Sequence, residues 1–214
     1  MRIYTIRHGE TDANKDGLLQ GRIDFDLNES GVALAQITGE ALRGTRFDAC
    51  FSSPLLRARH TAELILEHSG NADTEIFYDD RLREISMGDW EGKKVRNADG
   101  GYASELLRLF FTDAFHCGTF PHGESVQEVC DRTQDFLREL AAKDYENVLV
   151  SMHGCTLRAM LNCLYEDKAD FWHRHVPYNC VVNIIEVKDG RMELVEDDRI
   201  YYDPSQCVDR YVVK

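Results

Sequence analysis

Residues 2–11 read Arg2-Ile3-Tyr4-Thr5-Ile6-Arg7-His8-Gly9-Glu10-Thr11. The β-branched and aromatic run over 2–6 has the composition of a strand. It ends on a guanidinium and an imidazole followed by glycine. In open α/β sheets ligands bind beyond the carboxyl ends of the strands, so a strand ending this way predicts both a fold class and the place of a site.

Working outward, strand-like runs recur at 2–7, 48–52, 75–78, 147–152, 180–187 and 192–200, the last two joined by the hairpin turn Asp189-Gly190. Helix signals lie between them. Asn28 caps a predicted helix over about 29–43, with Leu27 and Val32 at staple positions. Ser53-Pro54 supplies an N-cap and an N1 proline for a helix to about 68. Ser125 and Glu128 have capping-box spacing, followed by Val126, Val129, Cys130, Thr133, Phe136, Leu137 and Leu140 at helical period. A further helix is expected over about 155–165. Alternation of this kind predicts an α/β fold, a three-layer α/β/α arrangement with a mostly parallel sheet and helices on both faces. Residues 88–124 fit the alternation less well and are expected to form a small excursion over the active site. No repeat or linker divides the chain, so one domain over 1–214 is expected.

Bulk properties narrow the function. A net charge of −13 repels nucleic acid and anionic membranes, so neither is an expected partner, and an anionic ligand needs a local basic pocket. The seven cysteines contain no C-x-x-C pair, which leaves a zinc ribbon or redox motif without support, and no metal site is expected. No signal-like segment or membrane-length apolar run is present. A cytoplasmic protein with reduced thiols is the simplest expectation.

Three segments place cationic or imidazole groups at strand ends: Arg7-His8, then Ser52-Ser53-Pro54 with Arg57 in the next helical turn, then Ser151-Met152-His153-Gly154. Two arginines and two histidines are thereby predicted to meet above the sheet, near helix N-termini that favour anions. Arginine's planar fork suits phosphate. A neutral imidazole attacks phosphorus to give a phosphohistidine, which water then hydrolyses. Arg7, Arg57 and His153 would neutralise phosphoryl charge. Glu84, in Leu82-Arg83-Glu84-Ile85-Ser86-Met87-Gly88-Asp89-Trp90-Glu91-Gly92, is the candidate proton donor, effective mainly once substrate is bound.

These residues form an ordered series. Arg7-His8-Gly9-Glu10-Thr11 with Asn14 is followed by Gln20-Gly21-Arg22 with Leu27 and Gly31, and by Ser52-Ser53-Pro54-Leu55 with Arg57, Ala58, Thr61 and Ala62. Leu82 and Glu84 with Gly88, Trp90, Glu91 and Gly92 come next, then Gly123-Glu124-Ser125 and Ser151 with His153-Gly154. The set resembles the signature of the histidine phosphatase superfamily, the phosphoglycerate-mutase-like fold, from residue 7 to about 158. The resemblance implies His8 as the phosphorylated residue, Arg7, Arg57 and His153 as the phosphate pocket, and Glu84 as the acid. It implies Asn14, Gln20, Gly21 and Gly154 on the substrate side, and no metal or organic cofactor. Two departures stand out: Cys155 replaces a second glycine after His153, and Asp12 stands where many members carry a larger residue.

Singly, each residue has a plainer reading. His8 or His153 alone is more often an ordinary strand-end histidine, and Asp89 and Glu91 are rival carboxylates near Glu84. Cys155 reads as a small buried residue more than as a thiol nucleophile. His116 and His122 read as surface residues or leaving-group contacts, and Trp90 and Trp172 as packing anchors.

The expected activity is therefore hydrolysis of a small phosphorylated metabolite. Lys93, Lys94 and Arg96 are the only clustered cations of the excursion, and the chain ends soon after the last strands, which favours a phosphatase over a mutase. A phosphoglycerate-type phosphomutase, a non-catalytic phospho-ligand-binding regulatory protein and a regulator acting on protein phosphohistidine are the alternatives. A homodimer is compatible with the fold, though no surface in the sequence marks one.

Overall fold

The computed structural model describes residues 1–207. The domain expected over 1–214 therefore runs partly outside the described residues. Six strands form one sheet in the order β3-β2-β4-β1-β5-β6. They are β1 (Arg2–Arg7), β2 (Ala49–Ser52), β3 (Ile76–Tyr78), β4 (Asn147–Met152), β5 (Val182–Lys188) and β6 (Arg191–Arg199). β3, β2, β4 and β1 are mutually parallel, and β5 is antiparallel to both β1 and β6. The mostly parallel α/β sheet expected from the sequence is thus present.

The helices are α1 (Asp12–Lys15), α2 (Glu29–Ala41), α3 (Leu56–Ser69), α4 (Glu105–Thr112), α5 (Val126–Ala141) and α6 (Gly154–Leu161). Alternation along the strands divides the core, because successive side chains point to opposite faces. Tyr4, Ile6 and Leu149 join Leu34, Ala35 and Ile65 of α2 and α3 on one face. Ile3, Val148 and Val150 join Phe136 and Leu140 of α5 and Leu157 and Met160 of α6 on the other. A third cluster lies under the excursion, where Leu107, Phe110, Phe111 and Phe120 pack with Phe171 and Trp172.

The Asn28 cap of α2 and the Ser125–Glu128 capping box of α5 form as expected. The hairpin residues Asp189 and Gly190 have φ of 50° and 74°, the left-handed pair of a tight two-residue turn. Two boundaries and one element differ. α3 starts at Leu56 rather than at Pro54, because Asp24 Oδ1, from a distant segment, accepts from the Leu56 N–H at 2.6 Å. β5 begins at Val182, since Cys180 takes φ 54° and interrupts the extended run. The excursion contains a helix, α4, capped by Ser104, whose side chain accepts from the Leu107 N–H.

Candidate active site

Register fixes the centre of the site. Arg7 pairs with Met152 and Ser52 with Ser151, so three parallel strands end level with one another. The His8 N–H donates to Met152 O at 2.9 Å and the Ser53 N–H to Ser151 O at 3.0 Å. His8, Ser53 and His153 consequently emerge together, with the two imidazole centroids 5.2 Å apart. One close backbone approach holds the first turn in place. A Cβ on Gly31 of α2 would lie 2.1 Å from Glu10 O, and one on Gly9 would lie 2.6 Å from Gly31 O.

His8 is buried, and its Nδ1 lies 2.7 Å from Gly9 O. A carbonyl only accepts, so Nδ1 carries the hydrogen and Nε2 keeps its lone pair. Burial first, then the charges of Arg57 and Arg7, hold the His8 pKa well below its usual value. The ring is therefore neutral near pH 7. His153 is lowered in the same way by burial and by Arg57, and its Nε2 is 2.8 Å from Ser53 Oγ. Its Nδ1 is buried without a partner.

Arg57 is fully buried at the start of α3. Its guanidinium donates to Ile23 O at 2.8 Å, Gly21 O at 2.9 Å and Gln20 O at 3.3 Å, while Nε has no partner. Burial pulls its pKa down to about 10, so it remains a cation at neutral pH. Arg7 Nη1 donates to Pro177 O. The guanidinium packs over Gly154, where a Cβ would sit 3.5 Å from Arg7 Nε.

Glu84 sits at the N-terminus of α6, where free N–H groups and the helix dipole favour a carboxylate. Its Oε1 accepts from Thr156 N at 3.0 Å, Thr156 Oγ1 at 2.9 Å and Ile85 N at 2.9 Å, and its Oε2 from Cys155 N at 3.1 Å. The rival carboxylates are placed differently. Glu91 accepts from the N–H groups of Gly21, Arg22, Ile23 and Met87 and so organises backbone. Asp89 is exposed and bonded to His122 at 3.0 Å.

A cleft enclosing about 50 Å³ and open to solvent lies over this centre. Arg7, His8 and Glu84 line it with Asn14, Gln20 and Gly154, and Arg57 and His153 are buried alongside. Gly21 is not among the lining residues; its carbonyl holds Arg57 and a Cβ there would strike Glu91. The rest of the wall is apolar and includes Leu18, Leu19, Met87, Phe110, Phe111, Trp172 and Val176. Trp172 is a packing anchor, 4% exposed, and also part of this wall.

Sequence reasoning did not find Asn179, whose Nδ2 donates to His8 O at 2.9 Å, nor Ser53 and Thr156 as partners of His153 and Glu84. These contacts join segments far apart in the chain, so no local motif announces them. The Cys155 thiol is pushed well up by burial and by Glu84, the reverse of what a nucleophile needs. His116 is exposed against Asp113 and, like His122, lies outside the cleft.

Known proteins are similar to this chain in sequence and in fold. A sequence model of the histidine phosphatase superfamily (branch 1) matches residues 3–198. The adenosylcobalamin/alpha-ribazole phosphatase of Salmonella typhimurium is 34% identical over 182 residues, 84% of this chain and 88% of that one. The 2,3-bisphosphoglycerate-dependent phosphoglycerate mutase of a Methylobacterium species is 35% identical over 167 residues, 76% of this chain and 79% of that one. Among solved structures, Bacillus stearothermophilus YhfR superposes with a TM-score of 0.83 at 28% identity, covering 93% of this chain and 97% of that one. The chain belongs to branch 1 of the histidine phosphatase superfamily.

Proposed function

We propose that this protein is a phosphomonoesterase, carried on one domain, that hydrolyses a small phosphorylated metabolite through a phosphohistidine on His8. The observation that carries the reading is the His8 ring itself. It is neutral, with Nδ1–H on Gly9 O, and it lines the same cleft as Glu84 and Arg7. In the first step His8 Nε2 forms a bond to phosphorus while the phosphorus–oxygen ester bond breaks, and Glu84 gives its proton to the departing oxygen. In the second, water attacks phosphorus, Glu84 takes a proton from it, and the phosphorus–nitrogen bond breaks to release phosphate. Arg7 and Arg57 meet the charge of the phosphoryl oxygens, with His153 beside them, so the scheme draws on no metal or organic cofactor.

Hydrolysis is favoured over phosphomutase chemistry because a mutase also has to hold the carboxylate of a sugar acid. Lys93 instead lies 5.0 Å from the Trp90 ring and Arg96 4.2 Å from the Tyr102 ring, and neither lines the cleft. The seven cysteines, five of them buried and none in a disulfide among the described residues, support a reducing compartment such as the cytoplasm.

The test is phosphate release from para-nitrophenyl phosphate, sugar phosphates, phosphoserine and 3-phosphoglycerate in the presence of a chelator. Wild type is expected to turn over members of this panel and His8→Ala to fall to background. Activity surviving in His8→Ala would sink the mechanism. Isomerisation of 3-phosphoglycerate dependent on the bisphosphate would make the protein a mutase, and vanadate binding without any turnover would favour a regulatory phospho-ligand binder.

A further inference from the structure

We infer that the substrate is a phosphomonoester whose alcohol half is uncharged and carries a flat apolar ring. This rests on the phosphomonoesterase reading and specifies what the far side of the same cleft accepts. Once Arg7 and His8 engage the phosphoryl group, the lining among the described residues offers only one further charge, Glu84. Asn14 and Gln20 are neutral, and the remaining wall is aromatic and aliphatic.

The aromatic part is rigid and has no polar group to spare. Phe110 meets Trp172 edge-on at 5.3 Å, and Phe111 stacks on Trp172 at 5.8 Å with 24° between the planes. The Trp172 indole N–H, its one donor, already bonds Phe110 O at 2.6 Å. The rings are 1–4% exposed and Phe111 also stacks on Tyr102 at 5.8 Å, so what the wall turns to the cleft is a small area of aromatic carbon, which prefers an apolar or aromatic partner.

Charged leaving groups are disfavoured from both sides. Arg22 and Arg132 both pair with Glu124, at 2.9 and 3.0 Å, and Lys93 and Arg96 cover aromatic rings outside the cleft. A carboxylate on the alcohol would lose water against the apolar wall, beside Glu84, with no counter-ion. An ammonium would find only Glu84, which already accepts four hydrogen bonds and serves as the acid. One polar opportunity remains. Thr11 Oγ1 bonds Gln20 Oε1 at 2.8 Å, which leaves the buried Nε2 of Gln20 as a donor without an acceptor. A ring nitrogen or ether oxygen would satisfy it.

The test compares binding of three phosphonates, which cannot be hydrolysed, by calorimetry: 2-phenylethylphosphonate, ethylphosphonate and 3-phosphonopropionate. The phenylethyl compound is expected to bind at least ~10-fold more tightly than either of the others. In turnover, 2-phenylethyl phosphate is expected to exceed ethyl phosphate in kcat/KM by a similar factor, since both release an alkoxide and the ring is the difference. Leu18→Arg, at a half-buried position on the wall, is expected to move affinity towards 3-phosphonopropionate by about 10-fold. Equal binding of the phenylethyl and ethyl compounds, or tightest binding of the carboxylate by wild type, would overturn the inference. Tight phenylethyl binding with no ester hydrolysed would uphold the ring site and overturn the hydrolase reading. Hydrolysis of para-nitrophenyl phosphate without a ring preference among the phosphonates would do the reverse.

Discussion

At the residue scale the two oxygens of Glu84 are unequal. Oε1 accepts three hydrogen bonds and Oε2 one, so under the proposed mechanism Oε2 has the lone-pair capacity to carry the proton that goes to the departing oxygen. A leaving group that is already a stable anion does not need that proton. Glu84→Gln is therefore expected to lower kcat on alkyl phosphates by about 10²–10⁴-fold while para-nitrophenyl phosphate loses less than about 10-fold. Thr156→Val removes a hydroxyl whose single hydrogen is shared between Arg83 O at 2.8 Å and Glu84 Oε1 at 2.9 Å, and should reproduce a milder form of the same split, roughly 10-fold in kcat on alkyl esters, with KM nearly unchanged. Equal losses on both ester types would make Glu84 a structural residue. The residues proposed as acid and nucleophile could be singled out in the sequence because each sits in an ordered motif, and both line the one cleft. Thr156, Asn179 and Ser53 were not, since their roles arise only when strand ends and helix starts from distant segments come together.

At the scale of elements, α6 joins the chemistry to the frame. Its first turn donates two N–H groups to Glu84, and Gly154 packs against the Arg7 guanidinium and Val176. One turn on, the fully buried Arg158 donates to Tyr165 Oη at 2.7 Å and pairs with Asp198 of β6, which also lies 3.2 Å from His175 Nε2. The stretch between α6 and β5, which supplies Trp172, Val176 and Pro177, is thereby fastened to the sheet edge. Arg158→Met would leave the Asp198 carboxylate without its main cation, at a cost of ~3–5 kcal/mol in urea unfolding. Arg158→Met/Asp198→Asn should recover part of that loss; an additive or greater loss in the double variant would show that the ion pair is not what is being measured. Local signals predicted this helix and most of its neighbours. They misplaced the start of α3, whose effective cap is Asp24 from another segment, and passed over α4. The latter was readable: Ser104 followed by Leu107, Phe110 and Phe111 has the cap and the helical spacing.

At the scale of the molecule, the strand order was beyond local reading, because β1 pairs with β4 across most of the chain. That pairing buries two histidines in neutral form, and stability should record it. For His8 and His153 the folded pKa lies well below 6.5, with burial the largest cause. As pH falls below 6.5 the unfolded chain takes up protons at these rings and the native protein does not. Each ring then removes about 1.4 kcal/mol of stability per pH unit until its folded pKa is reached. His175 acts in the opposite sense, its pKa raised chiefly by the hydrogen bond to Asp198, so its contribution is complete below 6.5 and lost as pH rises through the folded value. Carboxylates such as Asp79 and Glu124, lowered by Arg81 and Arg132 against the effect of burial, lose their contribution only in more acid solution. Between pH 6.5 and 5 the His175 contribution is already in place while His8 and His153, joined by His173, which burial also lowers, lose theirs, and the unfolding free energy should decline across that interval. In urea titrations run at each pH, His153→Asn should flatten the decline, and His175→Asn should lower the whole stretch below 6.5 while leaving its slope nearly unchanged. A wild-type free energy that stayed level or rose towards pH 5 would mean that these imidazoles are not held neutral, and the nucleophile assigned to His8 would lose its lone pair where the mechanism requires it.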